Sequence, residues 1–342
     1  MKFSELLYNQ LYTWYELNKR VLPWRETKNP YYIWVSEIIL QQTRVEQGMP
    51  YYMRFIDRFP TLAALAQAQE DEVLRYWQGL GYYTRARNMY KAAKILVENG
   101  HNTFPHTFDQ IRALPGIGDY TAGAIAAFAY NMPYPALDGN VYRVLARLTD
   151  CEIPFDTSAG KKHFLTLAQD ILDRKNPRLF DSALMEFGAL QCLPASPGCD
   201  ICPLQTWCKA FANNTVALLP VRKPRPKIRE RYFNYTIYLT ADKRTVLQQR
   251  QKQDIWLHLW EFPLAETDRL LSANGLPAID LTHQLSHQRI HARFVMVQTK
   301  NLPDTITNQI KNGDLQVIPL SDLDNYPLSR LTLKALEHFR IL

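Results

Sequence analysis

Residues 108–130 read FDQIRALPGIGDYTAGAIAAFAY. Without residues 115–118 the stretch would be one helix, but Pro115 and two glycines break it. Gly116 and Gly118 allow positive φ and let another backbone come close. A second helix is expected to start at about Asp119, and its first amides have no partner inside the helix. Those free N–H groups, with the positive end of the helix dipole, form an anion site that needs no side chain. A phosphate is the natural occupant, although a plain tight turn between two helices carries the same local pattern.

Working outward, residues 1 to about 212 read as helices separated by short turns at LPW (22–24), NP (29–30), FP (59–60), FP (104–105) and MPYP (132–135). Trp34 to Val45, Glu70 to Leu80 and a run ending at Gly100 are among the helices expected. The segment 219–231, LPVRKPRPKIRER, has three prolines and six Lys or Arg, so neither helix nor central strand suits it. It marks an interdomain linker, taken as 213–231. Beyond it, YFNYTIYLTADKRTVLQQR (232–250) has the pattern of a hairpin, with further strands expected at 255–262 and 292–299 and helices at 266–274 and 329–341. A C-terminal α+β domain over 232–342 follows.

With 342 residues the chain is too long for one core. Its 46% hydrophobic and 21% charged residues fit a globular protein, and the net charge of +7 favours a polyanionic partner without establishing one. The first twenty residues form an amphipathic pattern interrupted by Glu5, not a signal peptide, and no stretch reaches the 18 apolar residues of a membrane span. A cytoplasmic location is the expectation.

QCLPASPGCDICPLQTWC places Cys192, Cys199, Cys202 and Cys208 within seventeen residues, close enough to close around one metal centre. Zinc and iron–sulfur both remain open on that ground alone. Cys151 stands apart and reads as a small buried residue.

The Gly-hydrophobic-Gly turn resembles a helix-hairpin-helix motif. LPWR (22–25), SEIILQQTRV (36–45), GLGYYTRARN (79–88), LPGIGDYTAG (114–123), LDGNVYRVLAR (137–147) and the cysteine loop together resemble the MutY-type adenine DNA glycosylases of the endonuclease III superfamily. The resemblance is close over 3–212 and looser over 232–342. It implies an all-α helix-hairpin-helix glycosylase region, with a six-helix-barrel part at about 22–131. It also implies an iron–sulfur part built from 1–21 and 132–212, where the C-x6-C-x2-C-x5-C spacing holds a 4Fe–4S cluster.

Cutting an N-glycosidic bond calls for a proton on the departing base and a negative group beside the cationic sugar, a task that glycosidases give to paired carboxylates. Glu37 in IWVSEIIL has apolar flanks that should raise its pKa and suit it to general acid work. Asp138 begins the helix DGNVYRVLAR, where the dipole favours ionisation, so it can stabilise an oxocarbenium ion. Bland alternatives for the two are a solvent-facing glutamate and a helix cap.

The resemblance adds several roles. Tyr120 stands where lyase relatives carry a Schiff-base lysine, so a monofunctional enzyme is implied, with the phenol bonding to the sugar or Asp138. Asn140 would bond to a catalytic carboxylate or to backbone. Gln42 and Tyr82 would enter the DNA stack, and Arg25, Trp24 and Leu40 would line the adenine pocket. Ser182 stands where some relatives carry Glu or Gln.

IWLHLWEFPL (255–264) resembles the Nudix turn, but 264–276 lacks the glutamates that hold Mg²⁺. A Nudix-like domain without pyrophosphatase activity is implied, reading 8-oxoguanine through Ser286 and His287 in HQLSHQRIH (283–291), with Leu285 as an apolar wedge. The expected substrate is double-stranded DNA with 8-oxoguanine:adenine or guanine:adenine mispairs, handled by a monomer with no membrane partner. The rivals are an endonuclease III-like glycosylase and AP lyase on oxidised pyrimidines, a non-catalytic iron–sulfur DNA-binding protein and an active Nudix hydrolase.

Overall fold

The computed structural model describes residues 3–100, 103–224 and 227–341. The helical region runs α1 (Phe3–Asn18), α2 (Pro30–Ile39), α3 (Val45–Arg58), α4 (Leu62–Gln67), α5 (Glu70–Trp77), α6 (Thr84–Glu98), α7 (Phe108–Arg112), α8 (Asp119–Tyr130), α9 (Gly139–Thr149), α10 (Ser158–Ile171), α11 (Pro177–Leu190) and α12 (Lys209–Ala212). Then come β1 (Arg229–Thr240), β2 (Arg244–Gln249), β3 (Trp260–Glu261), β4 (Leu264–Thr267), β5 (Ala278–Gln284), β6 (Gln288–Thr299), α13 (Asp304–Lys311), β7 (Gln316–Pro319) and α14 (Arg330–His338). Two compact units form, one from Met1–Arg44 with Ile95–Pro224, the other from Val45–Lys94 with Arg225–Leu342.

In the first unit α2 packs on α8. Eight of the ten α2 residues are buried, including Glu37, because the helix is apolar nearly all round. Asn29 caps it by accepting the Tyr31 amide, and Pro30 sits at the first turn, where its missing N–H costs nothing. A second core joins Leu7, Leu11 and Tyr15 of α1 to Val144, Phe164, Phe180, Leu184 and Phe187 of α9 to α11. Leu204 and Ala210 of the cysteine region complete it.

In the second unit a four-stranded sheet has the order β4-β1-β6-β5, with β1 and β6 parallel over twelve residues. The strand β1 alternates buried and half-buried side chains, placing Phe233, Tyr235 and Ile237 in a core with Phe294, Leu331 and Leu336. A smaller antiparallel sheet has the order β3-β2-β7.

Four expectations are corrected. The α2 helix ends at Ile39, and Gln42, at φ 57°, breaks the run expected to reach Val45. The strands β1 and β2 follow one another through a tight turn but enter different sheets, so they are not a paired hairpin. Trp256 and His258, at φ 59° and 64°, reduce the expected strand 255–262 to two residues. No helix forms over 266–274: β4 pairs with β1, and Arg231 holds Glu266 at 2.7 Å. Within 213–231, Leu219 is buried and Arg147 Nε donates to the Val216 and Leu219 carbonyls.

Candidate active site

Three polar side chains from three helices meet in the first unit. The Tyr120 hydroxyl, in the first turn of α8, donates to Glu37 Oε2 at 2.7 Å. Glu37 is 6% exposed, and burial, aided by the charge of Asp138, lifts its carboxyl from the ordinary 4.5 to about 7 against the pull of Tyr120 and Arg25. The sequence expectation paired Tyr120 with the sugar or with Asp138; in the fold its phenol bonds to Glu37.

Asp138 is the N-cap of α9. Its Oδ1 accepts the Asn140 and Val141 amides at 2.8 Å each, and its Oδ2 accepts Asn140 Nδ2 at 2.7 Å. Capping and site geometry therefore coexist in one residue. Burial raises this carboxyl too, whereas the dipole argument expected free ionisation; the three N–H donors and Arg143 oppose the rise. Those donors all favour the charged form. Arg143 Nη2 donates to Asn140 Oδ1 at 2.8 Å, which turns the Asn140 amide nitrogen toward Asp138. Arg143 is itself fixed by the Gly188 and Cys192 carbonyls at 2.6 and 2.7 Å. Gly188 lets α11 come this close, since a Cβ there would lie 2.7 Å from Asn140 Cβ and 2.8 Å from its carbonyl oxygen.

Two residues of α11 escaped the sequence reading. Glu186 is fully buried and takes Arg20 at 2.8 Å and Arg25 at 2.7 Å; burial works to raise it, but the arginines outweigh that and hold it at about 2. Arg25 is thus ion-paired to Glu186 through Nη2, and its charge also acts on Glu37. Asp181 is 1% exposed and, among the described residues, has no cationic partner of that kind. The signal available was two acids in the apolar helix PRLFDSALMEFGAL. Ser182 is also buried, Trp24 is 7% exposed and Leu40 caps the end of α2 half-buried.

Cys192, Cys199, Cys202 and Cys208 all line one cavity, together with Arg147, Gln191, Gly198 and Gln205. Arg147 Nη1 lies 3.3 Å from Cys192 Sγ. Backbone amides of Leu204 and of Phe211 and Ala210 point at Cys202 and Cys208. Among the described residues no three His, Cys, Asp or Glu gather tightly enough to hold a single metal ion.

Residues 35–157 match the family described as HhH-GPD superfamily base excision DNA repair protein, and 234–338 match the NUDIX domain. The adenine DNA glycosylase of Buchnera aphidicola subsp. Baizongia pistaciae (strain Bp) is 39% identical over 293 residues, covering 84% of this chain and 83% of that one. The chain belongs to the adenine DNA glycosylase family. The adenine DNA glycosylase of Arabidopsis thaliana is 36% identical over 292 residues, 74% of this chain and 46% of that one. In fold, a thermostable thymine-DNA glycosylase matches with a TM-score of 0.55 at 24% identity, over 61% of this chain and 97% of that one. A trapped endonuclease III–DNA intermediate matches at 0.53 and 21%, over 63% and 99%.

This adenine DNA glycosylase is a hydrolase of base excision repair, and its remaining expected contact residues sit as follows. Gly116 has φ +79°, as the turn between α7 and α8 requires. Gly118 does not: its φ is −95°, and a Cβ there would meet nothing within 4 Å. What its lack of a side chain leaves is an N-terminus of α8 that, among the described residues, has no side-chain cap. Gln42 and Tyr82 are both exposed with left-handed backbones, at φ 57° and 50°. Non-glycine residues held there carry strain that the surrounding fold must support. Arg85 stacks on the Tyr82 ring at 5.5 Å, and the Tyr82 hydroxyl contacts Ser286 Oγ. Ser286 and His287 are exposed in the turn between β5 and β6, closed by Leu285 N donating to the Gln288 carbonyl at 2.8 Å. Leu285 is half-buried against the second unit's core. No helix among the described residues is long and apolar enough to cross a membrane.

Proposed function

We propose that this glycosylase removes adenine mispaired with 8-oxoguanine or guanine in double-stranded DNA, acts as a monomer and does not cut the strand itself. The observation that carries the reading is Glu37, a buried acid poised at about 7 beside the Asp138 carboxylate. Such an acid still holds its proton near neutral pH and can give it to the departing purine. Asp138, under three N–H donors, carries the negative charge that faces the oxocarbenium ion. Tyr120 holds Glu37 in place and offers no amine for a Schiff base.

The free amides at the start of α8 would bind a DNA phosphate. Gln42 and Tyr82 would enter the stack, and the Ser286–His287 turn would read the base opposite adenine. In this reading residues 1–212 are the catalytic region, 213–231 the connection and 232–342 the lesion-reading region, all working on the chromosome in the bacterial cytoplasm.

The four cysteines fit a 4Fe–4S cluster: all four line one cavity, and amide and guanidinium donors point at the sulfurs of three of them. When bound, the cluster would tie residues 192–208 into one rigid loop. The Nudix-like region would hold no Mg²⁺, since Arg231 and Lys252 already take Glu266 and Arg250 takes Glu261.

The test is an end-labelled duplex with one 8-oxoguanine:adenine pair. Strand breaks that appear only after alkali are expected; breaks without alkali would show a lyase, and no breaks would refute adenine release.

A further inference from the structure

Asp181 is a buried acid, electrostatically coupled to Asp138, that the mechanism above does not use. It lies in the middle of α11, and its residue is 1% exposed. Its carboxyl accepts the backbone N–H of Ala136, two residues ahead of Asp138. The other oxygen, Oδ2, is buried with no hydrogen-bond partner among the described residues. Asp138 on the cap of α9, Tyr120 on α8 and Tyr12 on α1 are the titratable groups that feel it.

The stretch from Pro135 to Asp138 is thereby pinned from two sides. On one side Gly123 of α8 approaches the Pro135 carbonyl, which would stand 3.1 Å from a Cβ at that glycine. On the other side Asp181 takes the next amide. Ala136 and Leu137 are themselves buried, at 1% and 9% exposure. An amide left there without an acceptor would be a buried unpaired donor, which folds avoid.

Two buried carboxyls whose charges act on one another do not both ionise readily, and the donors are unevenly shared. Asp138 has three N–H groups and the influence of Arg143, whereas Asp181 has one amide and an orphan oxygen. We propose, on the functional reading above, that Asp181 is a positioning residue for Asp138: as a neutral acid it holds the Ala136–Asp138 turn in place and leaves Asp138 the carboxylate that faces the sugar. Burial and the nearby Asp138 charge accordingly push the Asp181 carboxyl up to about 8. Asp181 touches no reacting atom in this role; it acts through the turn.

The test compares Asp181→Ala and Asp181→Asn with the unaltered chain by single-turnover adenine release from an 8-oxoguanine:adenine duplex at neutral pH, with duplex binding and melting temperature measured alongside. Asparagine keeps an acceptor for Ala136 and is neutral, so release within about threefold of the parent is expected. Alanine removes the acceptor, and release should fall at least tenfold while duplex binding persists. An asparagine variant as impaired as the alanine one would show that the ionised acid is needed and would overturn the proposal. So would an alanine variant with full release. Should alanine fail to fold, the asparagine result alone still decides whether the neutral form suffices. Failure of the unaltered chain to release adenine would instead sink the functional reading.

Discussion

Glu37→Gln separates the energetic cost of the buried acid from its chemistry. Burial lifts Glu37 from 4.5 to about 7 in the folded chain. Between those values the folded state keeps a proton that the unfolded chain has released, so stability falls as pH rises across that window and stays lower above it. At about 1.36 kcal/mol per unit, the loss is ~3 kcal/mol. Glutamine at this position keeps an acceptor for the Tyr120 hydroxyl and does not titrate. At about pH 5 the two proteins should therefore have nearly equal stability. At about pH 8.5 the variant should be the more stable by ~2–3 kcal/mol, on the order of 5–10 °C in melting temperature for a unit of this size. Calorimetry of the full-length protein at both pH values, on metal-replete samples, measures it. A variant no more stable than the parent at the higher pH would refute the argument that the carboxyl is held away from water at the fold's expense.

Other outcomes follow from single contacts. Gly188→Ala forces a Cβ to within 3 Å of the Asn140 backbone and should displace the Asp138 cap, lowering single-turnover release about tenfold to a hundredfold, even though alanine is intrinsically the better helix former by about 1 kcal/mol. Release within twofold of the parent would show that the α9–α11 approach does not set the site. Gly118→Ala meets no protein atom within 4 Å, so melting should be unchanged, while fluorescence-anisotropy titration should show weaker duplex binding if the α8 amides take a phosphate. Cys202→Ser should lower the iron content and the cluster's visible absorbance and loosen the 192–208 loop to proteolysis; unchanged iron would remove that cysteine from the ligand set.

How much could be read from residues depends on where the physics resides. Glu37 was legible because its own flanks, IWVSEIIL, are apolar, and burial follows from the immediate sequence. Asp138 was legible as a cap because capping is local. Its raised carboxyl was not, since that depends on how α11 and α8 close over it. Asp181 and Glu186 were passed over for the same reason: an acid on a helix looks alike in sequence whether it meets arginines, an amide or water. The ion pair of Arg25 was not legible, because its partner lies 161 positions away. The separation of β1 from β2 was hidden because a turn fixes reversal of the chain and not the partner each strand takes. The helix expected at 266–274 had suitable residues, but pairing with β1 and the Arg231–Glu266 ion pair won.

The central claim is that Glu37 releases adenine as a protonated buried acid. The most direct check is single-turnover adenine release from an 8-oxoguanine:adenine duplex across pH, for the unaltered chain and for Glu37→Gln. The account predicts a rate that declines as pH rises through about 7 in the unaltered chain, and no release at any pH from the variant, which still binds the duplex. Release by the glutamine variant, or a parent rate that climbs through that range, would contradict it.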